Sequence, residues 1–101
     1  MKDSIKFMIE LFIENKCRIR YKDIQRLAYE KAKREDHELL KTFSKHYFGM
    51  YSSEVYRLLR ILHSIGFISC IEIPNDGLRY YLTDDGLFLA IEKGWTVPEY
   101  D

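Results

Sequence analysis

Ser53, Tyr56, Arg57, Arg60 and Ser64 fall close together in the chain, at the spacing of one helix face. At about 100° per residue, an α-helix gathers all five on one side. Guanidinium and hydroxyl groups so placed can donate to phosphate oxygens, and an arginine can meet a guanine edge with two parallel hydrogen bonds. The bland alternative is a solvated helix face. A second group of cations is Lys16, Arg18, Arg20, Lys22 and Arg26. Lys22 and Arg26, four apart, share a helix face. Arg18 and Arg20 alternate with Ile19 and Tyr21, which puts both on one side of a strand, where they could also protect an open edge.

Catalytic chemistry finds little support. Asp84 and Asp85 form a carboxylate pair, but acids at a helix start are explained by the N-terminal dipole. The chain has no glycine-rich phosphate loop and no nucleophile elbow. Cys17, Cys70, His37, His46 and His63 do not make a zinc spacing. Neither an enzyme nor a bound metal or cofactor is expected.

The elements that would carry these residues follow from hydrophobic spacing. Ile5, Met8, Ile9 and Phe12 predict a helix over 3–15, and Phe7, Leu11 and Ile13 widen its apolar sector beyond what one covering surface needs. A short strand is expected at 17–21 and a helix at 22–34. Asp36 is placed to cap a further helix at about 37–47, with Leu39, Leu40, Phe43 and Tyr47 inward. Val55, Leu58, Leu59, Leu62 and Ile65 make a clean apolar stripe along 52–65, which Gly66 ends. Residues 67–73 and 78–82 read as a hairpin around Pro74-Asn75-Asp76-Gly77. Thr83 caps a last helix that Gly94 stops.

Composition bounds the rest. The chain has 101 residues, which fits one domain, and Leu, Ile, Val and Phe lie well above the roughly 20% floor for disorder. No apolar run reaches the roughly 18 residues of a membrane span. Met1-Lys2-Asp3-Ser4 leads into a segment broken by Lys6 and Glu10, unlike a signal peptide, so a cytoplasmic protein is expected. Asn and Gln are scarce beside Lys, Glu, Arg and Ile, a bias found in heat-loving sources. Net charge is zero, yet residues 1–34 carry +5 and residues 66–101 carry −5. Such asymmetry marks either a basic docking surface or two ends that neutralise each other in the fold.

Two stretches carry a resemblance. Ser52 to Ile68 looks like a recognition helix followed by Gly66-Phe67-Ile68, the entry to a wing. Tyr80-Tyr81-Leu82-Thr83-Asp84-Asp85-Gly86 is similar to the tyrosine-x-leucine-threonine-x-x-glycine segment that closes the wing in MarR- and PadR-type regulators. The chain thus resembles winged helix-turn-helix proteins, in length most like the small archaeal ones. The resemblance implies a mainly α fold with a small β-hairpin wing (α+β), in the order helix-strand-helix-helix-helix-hairpin-helix. It implies a single domain over 1–101, with a recognition helix at 52–65 and a wing at 67–83, and an insertion at about 36–50. It also implies a nucleoid-associated protein that binds double-stranded DNA, as either a transcription regulator or a chromosomal protein. The contacts would come from Ser53, Tyr56, Arg57, Arg60 and Ser64 in the major groove, from Lys22 and Arg26 on phosphates, and from Arg79, facing Glu72 and Asp76, on the wing.

The surplus apolar surface of 3–15 and 84–94 suggests a homodimer, with Phe7, Leu11, Leu89 and Trp95 in its seam. The alternative is burial within one chain. Cys17, near such a seam, could form an intersubunit disulfide or simply pack as a small apolar residue. No small-molecule effector and no membrane partner is expected. The competing functional class is a protein-interaction module of the same fold, since fold alone does not fix function.

Overall fold

A computed structural model describes residues 3–41 and 53–95. They form a small α+β domain with a three-stranded antiparallel sheet. The elements are α1 (Asp3–Glu14), β1 (Arg18–Arg20), α2 (Tyr21–Glu35), α3 (Ser53–Ser64), β2 (Ile68–Ile73), β3 (Gly77–Leu82) and α4 (Asp84–Lys93). Most of the helix expected at 37–47, including Phe43, His46 and Tyr47, lies outside the described residues. So do Val97 and Tyr100.

α1 is the hub. Ile5, Phe7, Met8, Ile9, Leu11, Phe12 and Ile13 are all buried, because α2, α3, α4 and β3 surround the helix. Its wide apolar sector is therefore covered by its own chain. This corrects the expectation for Phe7 and Leu11. Each is 1% exposed in a single copy, so neither can reach a partner without opening the core.

Chain reversals share one device. After α1, Lys16 and Cys17 take positive φ, and the Cys17 N–H donates to Phe12 O. After α3, Gly66 takes φ +86° and the Phe67 N–H donates to Leu62 O. After α4, Gly94 does the same and the Trp95 N–H donates to Ala90 O. Such left-handed closures satisfy the last carbonyls of a helix. Asp36 is a further case and a correction. It closes α2 in the left-handed region instead of opening the next helix. The neighbouring His37 supplies the N-terminal acceptor, its Nδ1 taking the Leu39 N–H at 3.1 Å.

The strand order is β1-β3-β2, so β3 is central. Ile19, Leu82 and Ile68 lie on the buried face, with Tyr80 and Cys70 beside them. The hairpin turns with positive φ at both Asn75 and Gly77. Thr83 locks the hairpin base. Its hydroxyl donates to Gly66 O at 2.6 Å and accepts the Gly86 N–H at 3.2 Å, while its own N–H donates to Phe67 O. Thr83 and Gly86 are thus both engaged at the joint between hairpin and α4.

Candidate nucleic-acid interface

α3 divides as its spacing predicts. Val55, Leu58, Leu59 and Leu62 are buried, while Tyr56, Arg57, Arg60 and Ser64 are exposed. Ile65, expected on the apolar stripe, is half exposed because the helix has ended before it. Ser53 begins the helix, but its side chain lies outside the described residues. Tyr56, Arg57, Arg60 and Ser64 line one open groove together with Ile61 and Ile65.

The two arginines of this face differ. Arg57 is clamped by Glu54 through two bonds, Nε to Oε1 at 2.9 Å and a terminal nitrogen to Oε2 at 2.6 Å. That carboxylate raises the guanidinium pKa further above its ordinary value. Arg60 has no carboxylate within ion-pair distance among the described residues and lies 5.8 Å from the Tyr56 ring centroid. Among the described residues, Arg60 is the open cation of α3.

The start of α2 lies alongside. Tyr21, Ile24 and Gln25 share a small crevice with Val55, Tyr56 and Leu59 of α3. Lys22 and Arg26 do not line that crevice; they stand about 100° and 140° around α2 from Tyr21. Lys22 is exposed and has no ion pair among the described residues. Arg26 is engaged, 3.5 Å from Asp23 and 3.4 Å from Glu30. Burial pushes the Asp23 carboxyl up, but Arg20 and Arg26 outweigh it and hold it below the usual carboxylate range.

Arg79 does not join this face. Cross-strand partners share a side of the sheet, and Arg79 pairs with Arg20, one residue out of step with the buried Ile19. It therefore sits on the sheet's outer side, bound to Asp76 at 2.6 Å. The hairpin side shared with the core carries Glu72 and Leu78 toward its tip instead. Tyr80 lies deeper on that side. Burial raises its hydroxyl pKa, with smaller contributions from Cys70, Tyr21 and Tyr56.

The remaining site residues are placed as follows. Leu89 and Trp95 are half-buried against the core. The exposed apolar pair on α4 is Phe88 and Ile91, at 65% and 56%. Cys17 is half-buried, and burial raises its thiol pKa, which lowers the thiolate fraction that disulfide exchange requires. Lys31 is a finding that the spacing could have shown. It follows Ile24 and Ala28 on the inner stripe of α2 and is 1% exposed. Its Nζ meets Glu14 at 2.8 Å and Glu35 at 2.5 Å, above the Phe7 ring. Part of the basic N-terminal third is therefore spent inside the fold.

Among the described residues, no three His, Cys, Asp or Glu side chains are grouped to hold a metal ion, and no helix is long and apolar enough to cross a membrane. No protein-family model, curated protein or solved structure matches the chain.

Proposed function

We propose that this chain is a winged helix-turn-helix protein that binds double-stranded DNA, with α3 entering the major groove. The observation that carries the reading is the α3 face, where Arg60, Tyr56 and Ser64 are exposed above a fully buried stripe. Lys22, exposed near the start of α2, adds a cation available to phosphate. The element order and the β1-β3-β2 sheet agree with such a domain. The mechanism is electrostatic anchoring by Lys22, with Arg60 reading a base edge or neutralising a phosphate inside the groove.

The homodimer is retained with its seam moved to Phe88 and Ile91. These two side chains expose about 200 Å² in all, well below the roughly 800 Å² per partner of a stable interface. Two copies on one duplex meet at high effective concentration, where a small seam suffices. The rival reading, docking of a protein partner, draws on the carboxylates that already occupy Arg57, Arg26 and Arg79.

Fluorescence anisotropy with a mixed-sequence duplex across a salt series tests the reading. Wild type binds at low salt, and Arg60→Ala and Lys22→Ala each weaken binding. Each lost phosphate contact lowers the salt slope by about 0.9. Absence of wild-type binding at low salt, or an Arg60→Ala protein with unchanged affinity and slope, overturns it.

A further inference from the structure

The sheet's outer side carries a second cationic surface that the α3 face does not use. Register places Arg18 beside Tyr81 and Ser69, and Arg20 beside Arg79 and Ile71, in two adjacent rows. Like charges directly opposite in a sheet repel. Here Arg20 and Arg79 are direct neighbours that share Asp76, and Arg20 is also bound to Asp23 at 3.0 Å. Asp76 lies 3.7 Å from Arg20 and 2.6 Å from Arg79. The Arg79 Nε is buried and has no hydrogen-bond partner among the described residues, a donor left unmet. Arg18 is exposed and has no carboxylate partner among the described residues. Edge protection explains a cation on β1, but Arg79 lies in the central strand, where there is no edge to protect.

We propose that this outer sheet face is a phosphodiester-binding surface, separate from α3. Planar guanidinium forks match phosphate oxygens, and two residues of strand set Arg18 and Arg20 about 7 Å apart, which suits a chain of phosphates better than one small anion. Tyr81, between Arg18 and Arg79, and the half-exposed Ile71 beyond Arg79 offer apolar surface beside the cations. Asp76 competes with phosphate for Arg20 and Arg79, and Asp23 for Arg20, which tempers the affinity and leaves Arg18 as the open cation of this face among the described residues. With α3 occupied by one duplex, a single copy links a second, a consequence that rests on the α3 reading.

A bead assay separates the two sites. Bead-tethered duplex is coated with the full chain, and a labelled second duplex is added. Wild type coats the beads and captures the label. Arg18→Ala/Arg79→Ala, shown folded by circular dichroism and melting, coats within twofold but captures at least fivefold less. Asp76→Asn captures at least twofold more, an increase that mere loss of structure would not give. Capture equal to wild type by the double variant overturns the outer-face site and leaves α3 standing. So does a wild type that coats but never captures. If Arg60→Ala coats normally while the double variant does not coat, the α3 reading falls and the outer face is upheld. No coating by wild type at low salt overturns both.

Discussion

Gly86 is where a single methyl group tests the packing most sharply. It lies in the first turn of α4, and a Cβ there would stand 2.3 Å from Phe67 O and 2.7 Å from Leu82 Cδ1. The leucine methyl can swing aside, but the Phe67 carbonyl belongs to backbone that already accepts the Thr83 N–H. Relieving the contact means moving that carbonyl by about 1 Å, at the roughly 1–3 kcal/mol typical of overpacking. The shift also strains the Thr83 bonds to Gly66 and Gly86, worth about 1 kcal/mol more. Against this, alanine gains at most about 1 kcal/mol in helix propensity over glycine. The net loss is about 1–3 kcal/mol, or a Tm lower by roughly 5–20 °C for a domain of this size. Urea and thermal melts of Gly86→Ala measure it directly. A variant as stable as wild type, or more stable as propensity alone would predict, refutes the close approach of α4 to the hairpin base.

Other perturbations probe the charges and the surface. Lys31→Met should cost little, under about 2 kcal/mol, because the part-exposed Glu10, Glu14 and Glu35 can turn to water while methionine fills the stem's space. Glu14→Gln/Glu35→Gln should cost more, about 2–3 kcal/mol after allowing for solvent screening, because the cation stays buried. Burial lowers the Lys31 pKa, but its two carboxylate partners outweigh that and raise it. The stability it confers is therefore present below the ordinary lysine pKa of about 10.4 and is lost as pH rises through the higher folded value. Alkaline melts should show wild type losing more stability than Lys31→Met across that range, and parallel curves would refute the pairing. Glu54→Gln releases the Arg57 clamp and should tighten duplex binding about two- to fivefold at low salt. Unchanged or weaker binding would place Arg57 outside the interface. Phe88→Lys/Ile91→Lys should leave the melt nearly unchanged and abolish cooperative binding to a duplex with two adjacent sites, with a Hill coefficient near one against a higher wild-type value. Equal cooperativity would move the seam elsewhere.

Much of the local architecture is legible in the residues. The α3 stripe Val55–Leu58–Leu59–Leu62 and its polar face emerge from spacing alone, because a helix sorts residues by angle whatever packs against it. Thr83 and Gly94 announce the two ends of α4 by side-chain chemistry and backbone freedom. Asp36 shows the limit of such signals. An aspartate with a helix on either side can open one or close the other, and His37, one residue on, took the opening role. The extra apolar residues of α1 were ambiguous for a different reason. Sequence counts how much surface must be covered, but only the packing of four neighbouring elements shows that the same chain covers it.

The sequence by itself determined α1 to α4, the hairpin and most of the side chains these turn outward, since these depend on local spacing and on residues a few positions away. The tertiary structure decided which cations are free. Lys31 is buried by Glu14 from another helix, Arg79 shares Asp76 with Arg20 from another strand, and Arg60 meets no carboxylate among the described residues. Charge pairing acts over a few ångströms and often between residues far apart in the chain, so spacing can place Lys31 on an inner stripe but does not tell which carboxylate from another element meets it.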